Sequence, residues 1–223
     1  MTSIFASRTQ QIAAVVVFAA LGAIGFLPLF GGPGYELSLA SGLLVPSVAA
    51  IATAIEVSRA EGPPVACVVR GIVSGLFLAA IAFATALLHG LSRGICDFWG
   101  AAAFFVLTAG FGAVLGGTWG ALAGEACRGR RHRKLYCVVI ALAAPAAGVV
   151  ISLARFYGSP MIFAFDPFFG YFSGALYDTV IDVRTALWSY RAGSLAALVG
   201  VLLVAASLER TPDGRLRLGI ADA

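Results

Sequence analysis

Six long apolar runs dominate this chain and leave little else to fold. They cover residues 12–30, 37–55, 71–88, 98–122, 135–153 and 192–208. A bilayer core about 30 Å thick needs roughly 20 apolar residues in each spanning helix, so every run has about the required length. Charged residues make up only 12% of the 223 positions, which is about half the fraction in a soluble domain. We therefore expect an all-α fold, a polytopic membrane bundle of six transmembrane helices.

The distribution of basic residues predicts how this bundle is oriented. With the N-terminus in the cytoplasm, eleven of the 15 Lys and Arg residues fall in cytoplasmic segments, as the positive-inside rule requires. The densest group lies at 128–134, just before the fifth run. Residues 1–208 are then the six-helix domain and 209–223 a polar cytoplasmic tail. The richness in Arg, Ala and Gly is typical of bacterial genomes rich in G and C, so the predicted location is the bacterial inner membrane with both termini cytoplasmic.

Regularly spaced glycines on two of the runs predict close helix packing. A spacing of four residues places small side chains on one stripe of a helix, where a second backbone can approach closely. The stripe packs either within one subunit or, as a glycine zipper, against a second copy or a moving helix. The glycines concerned are Gly112, Gly116, Gly120 and Gly124 on the fourth run and Gly71 and Gly75 on the third.

An aromatic loop, residues 156–184, separates the fifth and sixth runs. Asp166-Pro167 matches a helix start, with an Asp cap and proline at the first helical position. We expect short helices on the outer ends of the bundle, with Phe165, Phe168, Phe169 and Phe172 buried. The loop is either an aromatic belt that acts as an anchor or a re-entrant element that gates or lines a path. Its candidate functional residues are Asp166, Phe168, Phe169, Tyr171, Tyr177, Asp178, Asp182, Arg155 and Arg184.

Two of these residues, Asp178 and Asp182, are four apart and share one face of a helix. Like charges at this spacing favour a cation or an arginine nearby, such as Arg155, Arg184 or Arg191. A solvated ion pair in front of the sixth span is the alternative, and it requires no function.

Catalytic and metal-binding patterns are absent from the sequence. The Gly-x-x-Ser-Gly strings at 71–75 and 170–174 suggest a serine nucleophile, which needs a base, and the two histidines, His89 and His132, lie in loops. The four cysteines form no Cys-x-x-Cys pair, so neither a thiolate metal site nor a disulfide framework is indicated. We predict no cofactor, no metal and no catalytic residue.

The basic group at 128–134 is typical of a loop that faces anionic lipid headgroups. The need to fix the orientation of the helices in the membrane is by itself enough to explain this basic group. Nucleic-acid binding is not expected in a membrane chain. The predicted partners are the lipid bilayer and either a second copy or a larger membrane complex.

The stretch SPMIFAFDPFFGYFSGALYDTVID, residues 159–182, resembles a segment of uncharacterised bacterial polytopic proteins. Some of those proteins continue into a soluble peptidase-like domain. The resemblance covers about the last third of the chain and implies a membrane module coupled to a larger protein, although this chain ends at Ala223 without a metal motif. The layout of the loop is also similar to that of ABC-2 type permeases, which place short re-entrant helices between the fifth and sixth spans.

Three functions follow from these patterns. The first is a non-enzymatic membrane module that anchors, or assembles with, a larger complex or a downstream domain. The alternative is a permease subunit that moves a hydrophobic or amphiphilic substrate, and a second alternative is an intramembrane enzyme.

Overall fold

Helices account for most of the residues that the structure describes. The structure, a computed structural model, describes residues 7–95, 97–158, 163–173, 185–211 and 216–219. The helices are α1 (Arg8–Ile24), α2 (Tyr35–Val57), α3 (Pro64–Arg93), α4 (Phe98–Ala126), α5 (Arg133–Gly158) and α6 (Thr185–Ala206). Within α4, residues Val106–Gly110 form a π-helical segment, in which the turn is wider than in an α-helix.

Five of these helices, α2 to α6, are long and apolar enough to cross a membrane. The prediction of a helical, multi-pass membrane protein is confirmed at that level. Helix α1 has 17 residues and is therefore only about 25 Å long. The predicted run continued to Phe30, but the helix ends at Ile24, with Gly25 as its C-cap. Pro28 lacks the N–H group that would bond the carbonyl of Ile24 and continue the helix.

The ends of the bundle are joined by contacts between side chains and loops. At one end, Ser7 donates a hydrogen bond to Glu56, and Arg133 donates to the carbonyl of Ser58. At the other end, Arg93 donates to the carbonyl of Phe26. Successive helices therefore run in opposite directions. We call the end at Ser7 and Glu56 the Glu125 end, after a residue near the end of α4, and the opposite end the hairpin end.

A β-hairpin occupies residues 163–173, so the expectation of short helices was wrong for this part of the loop. Strands β1 (Phe163–Asp166) and β2 (Gly170–Ser173) pair antiparallel, with Asp166 opposite Gly170. The turn between them has three residues, and Gly170 has a φ of 96°. Such three-residue hairpin turns need a residue with positive φ after the turn, which glycine adopts without strain. We call this element the inserted hairpin.

A second hairpin follows α6. Strands β3 (Leu208–Arg210) and β4 (Leu216–Leu218) pair antiparallel at the Glu125 end. The two hairpins are small additions to a helical bundle, and they correct the expectation of a purely all-α fold.

Helices α2, α3 and α4 form the centre of the bundle. In their most apolar stretches 56%, 44% and 50% of the residues are buried, against 22% in α5 and 17% in α6. The main apolar core contains Val17 and Leu21 of α1, Val45 of α2 and Leu78 of α3. Helices α5 and α6 are therefore peripheral.

The glycines of α4 allow its backbone to lie directly against its neighbours. A side chain at Gly116, Gly120 or Gly124 would overlap with the backbone of Pro46, Ala50 or Ala54 on α2, respectively. On the other side, Gly71 and Gly75 of α3 face the backbone of α4 at Gly117 and Ala113. The neighbour of the glycine stripe is thus a helix of the same chain.

Candidate functional site at the inserted hairpin

The turn of the inserted hairpin lies deep among the helices. A methyl group added to Gly42 of α2 would come within 2.7 Å of the carbonyl oxygen of Phe169. One added to Gly112 of α4 would overlap with the carbonyl oxygen of Phe168. At 1.5 Å per residue, Gly42 lies about 10 Å from the start of α2 and Gly112 about 20 Å from the start of α4. The turn of the hairpin therefore packs between α2 and α4, inside the ends of both helices.

Asp166 organises the turn from within. Its side chain is fully buried, and Oδ1 accepts hydrogen bonds from the backbone N–H groups of Phe168 (2.7 Å) and Phe169 (2.9 Å). Ser152 of α5 donates a third hydrogen bond to Oδ2, over 3.2 Å. The predicted capping role is chemically similar, since Asp166 accepts from the next backbone donors, but these donors belong to a turn and not to a helix.

Arg191 of α6 holds the hairpin against the π-helical segment. Its side chain is only 1% exposed. The guanidinium donates to the carbonyls of Leu107, of Thr108 (3.3 Å) and of Pro167 (2.8 Å). One side chain therefore connects three elements: α6, the centre of α4 and the turn of the hairpin.

The π-helical segment explains how a helix carbonyl becomes available to this arginine. The N–H of Phe111 bonds the carbonyls of Val106 and Thr108 and bypasses that of Leu107, which accepts from Arg191 instead. Gly170 of the hairpin also rests on this segment, since a methyl group there would lie 2.8 Å from the Cα atom of Thr108. The wide turn thus provides both the hydrogen-bond acceptors and the seat of the hairpin.

Aromatic rings close the space around these polar groups. Phe165 stacks on Tyr190 of α6, with ring centroids 5.2 Å apart, and contacts Tyr171 across the hairpin at 5.5 Å. Tyr171 meets Phe104 of α4 edge-on at 6.4 Å. The guanidinium of Arg191 lies 5.7 Å from the ring centre of Phe111, within the range of a cation–π interaction.

The charge of Arg191 is balanced at a distance and not by a direct ion pair. Among the described residues, the ion pairs within 4.0 Å join Glu125 to Arg128 and to Arg210. Asp166 is linked to Arg191 only through the intervening Pro167 carbonyl. Ionisable groups inside a membrane bundle are costly and are commonly functional. This pair supplies a guanidinium group and a carboxyl group, each held in place by several hydrogen bonds.

A second charged group, which we call the charged cluster, lies at the other end of the bundle. Glu125 of α4 accepts hydrogen bonds from Arg128 at 2.8 Å and from Arg210 of β3 at 2.7 Å. Burial alone lowers the pKa of Arg128, but the hydrogen bond and charge of Glu125 outweigh it and raise that pKa. Arg210 also donates to the carbonyl of Gly62. The cluster ties the second hairpin to α4 and to the loop before α3.

The predicted site residues are only partly brought together. Asp166, Phe169 and Tyr171 are buried at the hairpin, and Phe165 and Phe168 are half-buried. Arg155 is exposed at the end of α5. Four predicted residues and the Phe172 side chain lie outside the described part of the chain: Tyr177, Asp178, Asp182 and Arg184.

Sequence reasoning missed Arg191 as a central residue. It placed this arginine in the outer loop, because the apolar run begins at Ala192. Helix α6 begins at Thr185, so Arg191 lies two turns inside it. A helix extended back from the apolar run would have carried Arg191 on the same face as Leu187 and Leu198, which are also buried.

Neither known proteins nor metal-binding geometry adds a functional assignment. No group of three His, Cys, Asp or Glu side chains in the described ranges is placed to hold a metal ion. Comparison with protein-family models, with curated proteins and with solved structures finds no match to this chain.

We expect Asp166→Ala to destabilise the protein by about 1–2 kcal/mol, the range for losing a side-chain cap. The variant leaves the N–H groups of Phe168 and Phe169 without their acceptor. Asp166→Asn is the matched control, because its amide oxygen can still accept both bonds. Reversible unfolding in bicelles measures the difference. Equal stability of the Ala and Asn variants would contradict this role.

Proposed function

We propose that this chain is a multi-pass membrane module without a reaction of its own, which assembles with a larger membrane complex. The observation that carries the proposal is the outer face of α6, which combines small side chains with exposed apolar ones. Only 17% of the apolar stretch of α6 is buried within the chain.

The outer face of α6 has the spacing of a helix-packing surface. Its residues follow one another at intervals of three or four, which places them on one side of the helix. All are exposed: Trp188, Ala192, Ala196, Val199 and Leu203. Lipid tails are as apolar as leucine, so helices associate in membranes through close packing, for which small residues are suited. Ala192 and Ala196 provide such a place for a partner helix.

The attachment of α6 suits a coupling role. Near its start it is fixed by Arg191, which reaches the inserted hairpin and the centre of α4. Beyond its end, Arg210 fixes the chain to Glu125. A partner helix that packs on α6 therefore acts on an element connected to both ends of a tightly packed core.

We expect Ala196→Phe to reduce the assembled fraction about tenfold. The larger side chain would prevent close packing, and overpacking costs about 1–3 kcal/mol. The size of the particles extracted from native membranes with an amphipathic polymer measures assembly, compared with the 22.9 kDa chain. Val15→Phe is the matched control, since Val15 is an exposed residue of α1 (65%).

Two results would count against assembly through α6. One is extraction of the wild-type chain as a single copy without a partner. The other is an equal loss of the larger particle in the Val15→Phe and Ala196→Phe proteins, because that would reflect a general defect in folding.

A permease subunit for an amphiphilic substrate is the second candidate function. Two apolar cavities, of about 620 and 370 Å³, lie between α6 and the helices α3 and α4. Both have volumes typical of small-molecule sites, and they lie on opposite flanks of α6. A neighbouring gene for an ATPase would favour this function over assembly alone.

A further inference from the structure

The larger of the two cavities has an asymmetric chemical character. It has a volume of about 620 Å³ and runs along α6 in the half of the bundle nearest the Glu125 end. Its walls are almost entirely apolar, and Leu208 and Leu216 of the second hairpin line its end. Glu125 is the one carboxylate among the residues that line it. The cavity is therefore an apolar groove with a charged group at one end.

The charged cluster at this end carries a net positive charge. Two guanidinium groups, of Arg128 and Arg210, share the single carboxylate of Glu125. Among the described residues, Arg210 forms its hydrogen bonds through Nε and Nη2. An arginine side chain has five N–H donors in a planar fork that matches phosphate oxygens. Within the described part of the chain, both N–H groups of Nη1 are thus available to an anionic ligand.

We propose that this cavity binds an acyl chain of an anionic phospholipid from the membrane leaflet at the Glu125 end, with its phosphate held by Arg210 and Arg128. The apolar walls suit the chain, and the net positive cluster suits the headgroup. Five further basic or ionisable side chains follow Arg128 in the loop to α5 and line a concave surface there: Arg130, Arg131, His132, Arg133 and Lys134. Such basic loops attract anionic lipids.

This lipid site goes beyond the proposed assembly role and does not require transport. The cavity lies on the flank of α6 that carries Ala197, Val201 and Val204, and Gly200 lies at its border with the assembly face. The assembly face carries Ala192, Ala196 and Leu203 instead. Lipid binding and particle size are separate measurements, so the two proposals can fail independently.

Two glycines of α6 allow a matched test. A side chain at either Gly200 or Gly193 meets no atom within 4 Å of its Cβ position, so both positions accept substitution without a clash. Only Gly200 lines the cavity. Gly200→Phe should fill the cavity, and Gly193→Phe should add the same ring outside it.

The experiment is a titration of the delipidated, purified full chain with phosphatidylglycerol or phosphatidylcholine, followed by native mass spectrometry. We expect the wild type to bind one phosphatidylglycerol about fivefold more tightly than phosphatidylcholine, the factor for about one basic residue near a phosphate. Gly200→Phe should weaken phosphatidylglycerol binding about tenfold, which corresponds to displacing part of the acyl chain. Gly193→Phe should leave it unchanged. Arg210→Gln should remove the preference for the anionic lipid.

Several outcomes would overturn the proposal. The first is equal affinity of the Gly200→Phe and wild-type proteins for phosphatidylglycerol. The second is a Gly193→Phe protein whose phosphatidylglycerol affinity is as weak as that of Gly200→Phe. The third is equal affinity of the wild type for the two lipids. If the complex extracted from native membranes holds no lipid, and Gly200→Phe breaks that complex apart, the cavity belongs to a protein neighbour instead. If Arg210→Gln does not fold, the salt dependence of the wild-type preference replaces it, because screening weakens an exposed charge contact. A preference unaffected by salt would then overturn the headgroup contact.

Discussion

Arg191→Ala is expected to lower the free energy of unfolding by about 2–5 kcal/mol. The variant removes three hydrogen bonds, to Leu107, Thr108 and Pro167. Hydrogen bonds between membrane helices contribute about 0.6 kcal/mol on average and up to about 1.7. The loss falls on carbonyl groups that lie in the interior, where water cannot replace the arginine.

The same variant should loosen the inserted hairpin before the rest of the bundle. Pro167 is in the turn, so the hydrogen bond from Arg191 is one of the contacts that keep this turn among the helices. We expect faster hydrogen exchange at the N–H groups of Phe168 and Phe169, which report on the turn itself. Exchange at α2 and α3 should change less, because their buried residues pack together in the main apolar core.

Two further variants separate the charge of Arg191 from its shape. Arg155→Ala removes an arginine that is exposed at the end of α5, and it should change the unfolding free energy by less than about 0.5 kcal/mol. Arg191→Lys keeps the charge but loses the planar fork that reaches three carbonyls, so it should fall between wild type and Arg191→Ala. An Arg191→Ala protein as stable as Arg155→Ala would refute the proposed role of this side chain.

The helices could be predicted from sequence because one physical requirement determines them. Backbone groups inside a membrane must bond to each other, so a long apolar run becomes a helix. The first and last residues of the helices depend instead on local sequence at each end. The third run began at Gly71, but α3 begins at Pro64, where proline is favoured as the first helical residue. The first run suggested a full span, whereas α1 stops at Ile24.

The hairpin could not be predicted by the same reasoning, because its conformation depends on distant contacts. Asp166-Pro167 fits a helix start and a tight turn equally well. The choice depends on Gly170, which has positive φ and rests on Thr108, 62 residues earlier in the chain. The short sequence Val106–Gly110 gives no local indication that it forms a wide π turn.

The buried position of Arg191 could not be predicted from the sequence either. An arginine next to an apolar run is normally assigned to the loop, because exposing its charge to water is favourable. Here the carbonyls of Leu107, Thr108 and Pro167 replace water. Two of them come from α4 and one from the hairpin, so the environment of Arg191 exists only after the tertiary structure has formed.

Gly112→Ala is expected to destabilise the protein by about 3 kcal/mol, even though alanine favours helices. A methyl group at this position would overlap with the backbone carbonyl of Phe168 in the hairpin turn and lie close to Pro46 of α2. A backbone atom cannot move aside as the end of a side chain can, so the cost should lie at the upper end of the 1–3 kcal/mol typical of overpacking. The gain of about 1 kcal/mol in helix propensity is smaller.

Gly193→Ala is the matched control. It introduces the same methyl group inside a helix, at a position where no atom lies within 4 Å of the added Cβ atom. It should raise the unfolding free energy by about 0.5–1 kcal/mol, the usual advantage of alanine over glycine inside a helix. The two variants thus have opposite expected signs. Unfolding in bicelles, with hydrogen exchange at Phe168 and Phe169, distinguishes an expelled hairpin from a general loss of packing. If Gly112→Ala were neutral and left those two amides protected, the turn could not occupy the position against α4 that Arg191 and the π-helical segment give it.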